Sequence, residues 1–231
     1  MKEKDFINII KNTLNSKYIG DDCANLTDLG IVVTQDSLVE DVHFSLKYFT
    51  PYQLGFKSVI VNVSDVVASG AEPKYLTISL SLPNNIEEKF VEEFYKGCKA
   101  ACGYEVEIVG GDITGSDKIF VSVCAIGATK NHKISSRKNA KVGYKVVIAG
   151  EHGSSDIGLK LLQKGEFSPK ELVDKHLMPN AQVEFGRLVG ENVKEDYAMM
   201  DTSDGLMDAL SVIAKESGVL LEVDFDKFLH N

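Results

Sequence analysis

The sequence predicts a mixed α/β fold, because runs with the spacing of strands alternate along the chain with segments that have the spacing of helices. Residues 75–82 alternate polar and apolar side chains, which is typical of a strand with one polar face. Residues 51–73 place valines on one helical face, with Pro51 near the start and Gly70 as a stop signal. The length of 231 residues suffices for one large domain or two small ones.

Composition and charge restrict the class of protein. Hydrophobic residues make up 44% and charged residues 26% of the chain, which is typical of a soluble globular protein. No apolar run approaches the ~20 residues that a bilayer span needs, and the N-terminus lacks the apolar stretch of a signal peptide. The net charge of -9 and the lack of a basic stripe argue against a nucleic-acid groove. We therefore expect a cytoplasmic protein with neither a membrane nor a nucleic acid as partner.

Helices and strands alternate through the first half of the chain. The predicted elements are a helix over 5–15, a strand over 30–33, a helix over 51–73, a strand over 75–82, a helix over 86–102, and strands over 105–109 and 119–127. The short strand over 30–33 would place Asp36 at or just beyond a strand end. The Gly110-Gly111-Asp112 segment fits a phosphate-binding turn, a hairpin turn, or both.

A polar segment over 129–143 is the most basic part of the chain and marks the predicted domain boundary, which separates residues 1–137 from residues 138–231. The second half is predicted to contain strands over 145–149 and 219–225 and helices over 156–164, 180–191 and 205–217. His176 is interpreted as a capping or surface residue. The cysteines show neither CxxC nor zinc-ribbon spacing, so we expect small buried hydrophobic residues at Cys23, Cys98, Cys102 and Cys124.

Acidic residues recur next to apolar segments or among small residues. These sites lie around Asp22, Asp36, Asp65, Asp112, and Asp201 with Asp204. Their carboxylates suit a hard divalent cation such as Mg2+ and do not suit zinc. Asp-rich surface loops are the alternative explanation for each segment taken alone. The repetition favours a multi-metal phosphate site, because an acidic protein needs cations to bridge it to a phosphate compound.

Several motifs, in order along the chain, together resemble one known family. They are Ile19-Gly-Asp-Asp-Cys-Ala24, residues 34–44, residues 61–73, Val109-Gly-Gly-Asp-Ile-Thr114, Arg137 with Ala140-Lys-Val-Gly143, and Met200-Asp-Thr-Ser-Asp-Gly-Leu206. The set resembles thiamine-monophosphate kinase, a family of the aminoimidazole ribonucleotide synthetase-like superfamily. The resemblance implies phosphorylation of thiamine monophosphate by ATP to thiamine diphosphate, assisted by several Mg2+ ions. Direct in-line attack by the acceptor phosphate is the simplest mechanism, and no covalent nucleophile is expected.

The resemblance also implies roles for individual residues. The implied metal ligands are Asp22, Thr34, Gln35, Asp36, Asp65, Asp112, Asp201 and Asp204. The implied ATP contacts are Tyr95, Gly111, Asp112, Arg137 and Ser203, and the implied contact to thiamine monophosphate is His43. The family usually has threonine where Gln35 stands. Without the resemblance, Tyr95 is better interpreted as a packing residue of its helix.

The resemblance further implies a homodimer, in which the N-terminal mixed sheet pairs with that of a second subunit and a second α/β domain closes over the nucleotide. The family continues into a Gly-Gly-Glu-Asp-Tyr-type motif that has no match here, so we expect the second domain to be incomplete relative to the family. Two alternatives stay open. One is another ATP-dependent enzyme of the superfamily, and the other is a non-catalytic protein that binds nucleotide or thiamine phosphate.

Overall fold

A computed structural model describes residues 3–103 and 105–224. The described residues form five strands and seven α-helices, which confirms the predicted mixed α/β class. The strands are β1 (Ala24–Leu26), β2 (Ile31–Val39), β3 (Glu72–Leu82), β4 (Glu107–Gly115) and β5 (Phe120–Ala128). The helices are α1 (Glu3–Leu14), α2 (Pro51–Ala68), α3 (Glu88–Cys102), α4 (Ser154–Gln163), α5 (Lys170–Leu177), α6 (Val183–Asn192) and α7 (Leu206–Ser217).

The five strands form one mixed sheet in the order β1-β2-β5-β3-β4. Strand β3 pairs in parallel with β4, and the other neighbours are antiparallel. Helix α3 connects the two parallel strands, as a parallel pair requires a crossover segment of this length. Strand β5 lies between β2 and β3 and is not a neighbour of β4. The two strands predicted on either side of Gly110-Gly111 therefore do not form a hairpin.

Helix α2 supplies the centre of the core. Thr50 caps its start through a reciprocal bond pair with Gln53, and Pro51 occupies the first turn. Its buried face packs against a sheet surface of apolar side chains that are themselves fully or nearly fully buried: Val32, Leu38, Leu76, Ile78, Leu80, Val121 and Val123. The α2 residues that contribute to this core are Leu54, Val59, Ile60, Val63, Val66 and Val67. Burial of this apolar surface is the main stabilising contribution to the fold.

Two glycines let helices α2 and α3 approach each other closely. A Cβ atom at Gly55 would overlap the carbonyl oxygen of Phe94, and a Cβ atom at Gly97 would overlap that of Tyr52. Beside this contact, the Cys98 thiol donates to the Gly55 carbonyl oxygen over 3.4 Å. Cys23, Cys98 and Cys102 are buried and free of disulfides, as expected, whereas Cys124 is half-buried, so the expectation of a buried residue was wrong there.

The opposite face of the sheet carries polar side chains. The Gln35 amide and the Ser37 hydroxyl both donate to the Ser122 hydroxyl, over 3.0 and 2.9 Å. Ser122 is aligned with Ser79 on β3, and Ser79 is aligned with Asp112 on the edge strand β4. Because in-register neighbours share a face, this polar surface extends across four strands.

Several predicted elements differ from the structure. Strand β2 extends to Val39 because it pairs with β5 along its whole length, so Asp36 lies within a strand and not at its end. Strand β4 continues through Gly110 and Gly111, with a shift of register against β3 between Ile108 and Gly110, so neither predicted turn forms there. The predicted strands over 145–149 and 219–224 are absent from the described residues, since nothing there pairs with them. Residue 225 lies outside the described residues.

The second half of the described chain is helical. Helix α5 was not predicted, and it makes His176 a buried residue with 8% of its surface exposed, so the interpretation of His176 as a capping or surface residue was wrong. Leu162, Val173, Leu177 and Ala181 join the core that α2 organises. The domain division after residue 137 stays a prediction. Nowhere in residues 3–103 and 105–224 does a helix combine the length and apolar character of a membrane span.

Candidate functional site

Three carboxylates from distant parts of the chain meet at one place. One oxygen each from Asp22, Asp65 and Asp201 lie within 4.8 Å of one another. Asp22 lies just before β1, Asp65 lies in the last turns of α2, and Asp201 lies in the segment that leads to α7. We call these three residues the acidic cluster.

The contact between β2 and α2 fixes one side of the acidic cluster. The Thr34 hydroxyl donates to the Asp65 carboxylate over 2.7 Å. The Asp36 amide N–H donates to the Asn62 side-chain oxygen over 2.9 Å, and the Asn62 amide group donates to the Ser58 carbonyl oxygen over 3.0 Å. Because alternate strand residues share a face, Thr34 and Asp36 both point toward α2. The fully buried Asn62 thus attaches the strand backbone to the helix that carries Asp65.

The acidic cluster holds more negative charge than its surroundings compensate. Burial raises the pKa of Asp65 to about 8, and the neighbouring charges of Asp201 and Asp36 add to this increase. Burial also raises the pKa of Asp201. For Asp22, burial raises the pKa to about 6, although the Arg137 guanidinium opposes the shift. Oxygen ligands with uncompensated negative charge are the groups that a hard divalent cation binds, so the residues present fit such an ion.

Arg137 lies next to the acidic cluster. Its Nη2 donates to Asp22 over 2.6 Å, and the side chains of this ion pair are 21% and 3% exposed. Within the part of the chain that the structure describes, the buried Nε of Arg137 has no hydrogen-bond partner. A buried donor without a partner is costly, and a phosphate oxygen is an acceptor that suits a guanidinium. The arrangement therefore offers both carboxylates for a cation and a donor for an anion.

Other polar groups surround Asp201. The Ser203 hydroxyl donates to the Asp201 carboxylate over 3.2 Å, and the Ser64 hydroxyl also hydrogen-bonds to it. The structure thus brings together seven of the residues that the sequence singled out: Asp22, Thr34, Asp36, Asp65, Arg137, Asp201 and Ser203. Among them, Asp36 is close enough for its charge to affect Asp65.

The remaining residues singled out by the sequence lie elsewhere. The Gln35 side chain points to the opposite face of β2 and donates to Ser122, so this side chain lies away from the acidic cluster. A metal role for Gln35 stays a prediction. Asp204 is exposed and is not part of the cluster. His43 is exposed in the turn after β2, where its Nδ1 accepts from the Val39 amide over 3.0 Å.

A second group lies at the edge of the sheet. Tyr95, Gly111 and Asp112 line a shallow cavity of about 530 Å³ beside β4. Asp112 is exposed on the edge strand, with β3 and β5 between it and β2, and it shares the polar face of the sheet. The residues that the resemblance assigns to ATP therefore fall into two groups, one at this cavity and one at the acidic cluster.

Sequence reasoning missed two residues of the site. Asp21 accepts from the Arg137 amide and from the Ser136 hydroxyl, over 2.8 and 3.1 Å. The available signal was the Asp21-Asp22 pair, because adjacent buried carboxylates require hydrogen-bond donors or a cation. Ser64, one residue before Asp65 on α2, gave no signal of its own.

Comparison with known proteins adds independent information. Residues 20–129 match the family described as AIR synthase related protein, N-terminal domain. The chain is 41% identical over 228 residues to the thiamine-monophosphate kinase of Aquifex aeolicus, and the match covers 96% of this chain and 72% of that protein. It is 35% identical over 216 residues to the thiamine-monophosphate kinase of Bacillus subtilis, and the match covers 89% of this chain and 66% of that protein.

A solved structure shares the fold. The structure described as AaThiL complexed with AMPPCP and TMP superposes with a TM-score of 0.86 at 39% sequence identity, and the match covers 94% of this chain and 72% of that one. The identity to the Aquifex protein, extending over more than two thirds of its length, establishes the relationship. This chain belongs to the thiamine-monophosphate kinase family, within the AIR synthase-related proteins.

Proposed function

We propose that this protein transfers a phosphoryl group from ATP to thiamine monophosphate and so forms thiamine diphosphate. The observation that carries the proposal is the convergence of Asp22, Asp65 and Asp201 from three distant segments. Relatives named thiamine-monophosphate kinase, and a related structure described as a complex with AMPPCP and TMP, support the choice of both substrates. AMPPCP is an ATP analogue whose methylene bridge resists transfer.

The acidic cluster is the proposed site of Mg2+. Asp22, Asp65 and Asp201 would hold the ion, with Thr34 and Asp36 beside them. When bound, Mg2+ supplies positive charge that compensates the phosphate oxygens and the charge that develops on them during transfer. We leave the Gln35 side chain out of this set because it lies on the other face of β2. Asp112 and Asp204 stay outside the cluster in a single chain, and a metal role for either remains a prediction.

The chain's own groups would then position the phosphates. The Nη2 of Arg137 donates to Asp22, and its Nε, which has no partner among the described residues, would donate to a phosphate oxygen. The Ser203 hydroxyl beside Asp201 is a second polar group at the same place. Transfer between two phosphates needs positioning and charge compensation more than a protein nucleophile, so we propose direct in-line attack by the acceptor phosphate.

The homodimer belongs to the same proposal. The polar sheet face with Gln35, Ser122 and Asp112 would meet a second copy, and the cavity lined by Tyr95 and Gly111 would contribute to nucleotide binding. His43 would contact thiamine monophosphate. Sedimentation equilibrium would show a species of twice the chain mass of 25.3 kDa if this assembly forms. A monomer at all concentrations would contradict it.

The deciding experiment is chromatographic detection of thiamine diphosphate after the purified chain is mixed with thiamine monophosphate, ATP and Mg2+. We expect product that disappears when a chelator is added and returns with excess Mg2+. Parallel calorimetry should measure ATP binding in the same buffer. ATP binding without product under any metal condition would contradict the kinase and favour a nucleotide-binding protein.

A further inference from the structure

We propose that Asp21 is a positioning residue that holds Arg137 in place for the nucleotide phosphates. This inference rests on the proposed function and assigns a role to a carboxylate outside the acidic cluster. Asp21 and Asp22 are adjacent in sequence, yet they bind different parts of the same arginine. Asp22 binds the guanidinium, whereas Asp21 binds the backbone from which the side chain extends.

Asp21 anchors the segment that begins with Ser136. One carboxylate oxygen of Asp21 accepts from the Arg137 amide N–H over 2.8 Å and from the Ser136 hydroxyl over 3.1 Å. Hydrogen bonds to a charged acceptor are stronger than neutral ones. The partners are separated by more than 110 residues of chain, so these two bonds join the start of the fold to the loop after β5.

A second anchor holds the other side of the same backbone. The Ser217 hydroxyl donates to the Arg137 carbonyl oxygen over 2.7 Å, and it also accepts from the Ala140 amide over 3.0 Å. Ser217 is the last residue of α7. The peptide groups on both sides of the Arg137 Cα atom therefore make hydrogen bonds, which fix the position of the atom from which the side chain extends.

The side chain extends from this fixed backbone to a site that leaves one donor unused. Arg137 Nη2 donates to Asp22, and no partner for the buried Nε is found within residues 3–103 and 105–224. A guanidinium recognises phosphate through N–H donors that are arranged as a rigid fork. A displacement of the backbone that carries the guanidinium therefore displaces those donors as well. Displacement of about 1 Å at a binding group can cost ~100-fold in rate. This dependence is why an anchor on the backbone matters for the site.

Steady-state kinetics test the role. Asp21→Ala removes both hydrogen bonds, and we expect its KM for ATP to rise about tenfold. Its KM for thiamine monophosphate should stay within a factor of about two. Asp21→Asn keeps an oxygen acceptor and should restore most of the ATP affinity. A change that is only structural would lower the amount of active protein and affect both substrates alike. An unchanged KM for ATP in a folded Asp21→Ala protein would overturn the proposal.

A second readout does not depend on kinase activity. The chain contains two arginines, Arg137 and Arg187, and the latter lies on α6 with Glu184 and Glu191 as ion-pair partners. Phenylglyoxal modifies accessible guanidinium groups, and mass spectrometry can measure both sites in one sample. In Asp21→Ala, we expect Arg137 to react at least about threefold faster while Arg187 keeps its wild-type rate. Equal rates at Arg137 in both proteins would overturn the proposal.

Two further variants separate the possible outcomes. Asp28→Ala removes an exposed carboxylate near β1 and should change neither arginine. Ser136→Ala removes the longer of the two bonds to Asp21, together with the 3.4 Å bond that the Ser136 hydroxyl accepts from the Lys138 amide. It leaves the bond from the Arg137 amide to Asp21 in place, so it should expose Arg137 less than Asp21→Ala does, and it keeps the test valid if Asp21→Ala fails to fold. Faster Arg137 modification without kinase activity in the wild-type chain would contradict the proposed function and still support the positioning role.

Discussion

The hydroxyl of Thr34 donates a 2.7 Å hydrogen bond to the carboxylate of Asp65, which connects strand β2 to helix α2 at the acidic cluster. The bond between the Asp36 amide and Asn62 lies further along β2 and about one turn earlier in α2. Two hydrogen bonds between a strand and a helix restrict the position of Asp65 more strongly than a place on a loop would. The site thus depends on a scaffold that the core already holds rigid.

Asp65→Asn should nearly abolish phosphoryl transfer while the fold is retained. The amide has almost the shape of the carboxylate, but it carries no charge to bind a divalent cation. We expect kcat/KM to fall by at least ~100-fold, since even supporting residues of metal sites contribute 10–100-fold. Steady-state kinetics with circular dichroism would measure activity and fold together. Asp28→Asn, at an exposed carboxylate, is the matched control. Wild-type activity in Asp65→Asn would contradict the proposed metal site.

Thr34→Val should weaken metal binding without removing a carboxylate. Burial raises the pKa of Asp65, and the hydrogen bond from Thr34 partly opposes this increase. Loss of the bond would raise that pKa further and make protons compete better with the metal. We expect about tenfold weaker Mn2+ binding at pH 7, measured by electron paramagnetic resonance. Thr27→Val replaces an exposed threonine and should leave the affinity unchanged. Equal affinity in both variants would show that the Thr34 hydroxyl does not support the site.

The elements could be predicted where their pattern is local. Amphipathic spacing and terminal signals are enough for α2 and α3, because each helix forms its own backbone hydrogen bonds. Strands depend on partners that a local pattern does not reveal. The pairing with β5 carries β2 through Asp36, and residues 145–149 form no strand because no described segment pairs with them. The glycine pair in β4 resembled a turn, yet Gly111 lies against the Ile78 backbone, where a Cβ atom would overlap the carbonyl oxygen.

The residues of the site also divide into those that a local sequence pattern reveals and those that depend on distant partners. The recurrence of acids next to apolar segments singled out Asp22, Asp65 and Asp201 before any geometry was known, and the structure places these three together. The sequence pattern could not separate Thr34 from Gln35, because only strand alternation decides which side chain faces α2. The contact of Asp21 with Arg137 was not predictable, since it joins residues 116 positions apart through a backbone amide.

Gly97→Ala should destabilise the protein without touching the acidic cluster. The added methyl group would overlap the Tyr52 carbonyl oxygen, so helices α2 and α3 would have to move apart. Overpacking of this kind typically costs about 1–3 kcal/mol, which urea unfolding would detect as a lower midpoint. Gly115→Ala is the matched control, because a Cβ atom there meets nothing closer than 4.0 Å. Equal unfolding midpoints in the two variants would show that the helices can separate at little cost.

His176 should make the protein less stable in acid. Burial lowers the pKa of His176 to about 4, with a further contribution from the nearby Lys57 charge, whereas the unfolded chain has a value near 6.5. Between these two values the unfolded chain binds a proton that the folded chain does not, so stability falls as the pH decreases from 6.5 to 4 and this loss is complete below pH 4. The expected contribution at pH 4 is about 2–3 kcal/mol, on the scale of 1.4 kcal/mol per pKa unit.

The measurement is the free energy of unfolding in urea at pH 7 and pH 4 for the wild type and for His176→Gln. Carboxylates titrate in the same range, so the difference between the two proteins isolates the histidine. Although His176→Gln also loses the ring's contacts with Phe49 and Ser155, that loss lowers stability by a similar amount at both pH values. We expect the variant to lose less stability between pH 7 and pH 4 than the wild type does. The same pH dependence in His176→Gln as in the wild type would show that His176 gains its proton as easily in the folded chain as in the unfolded one.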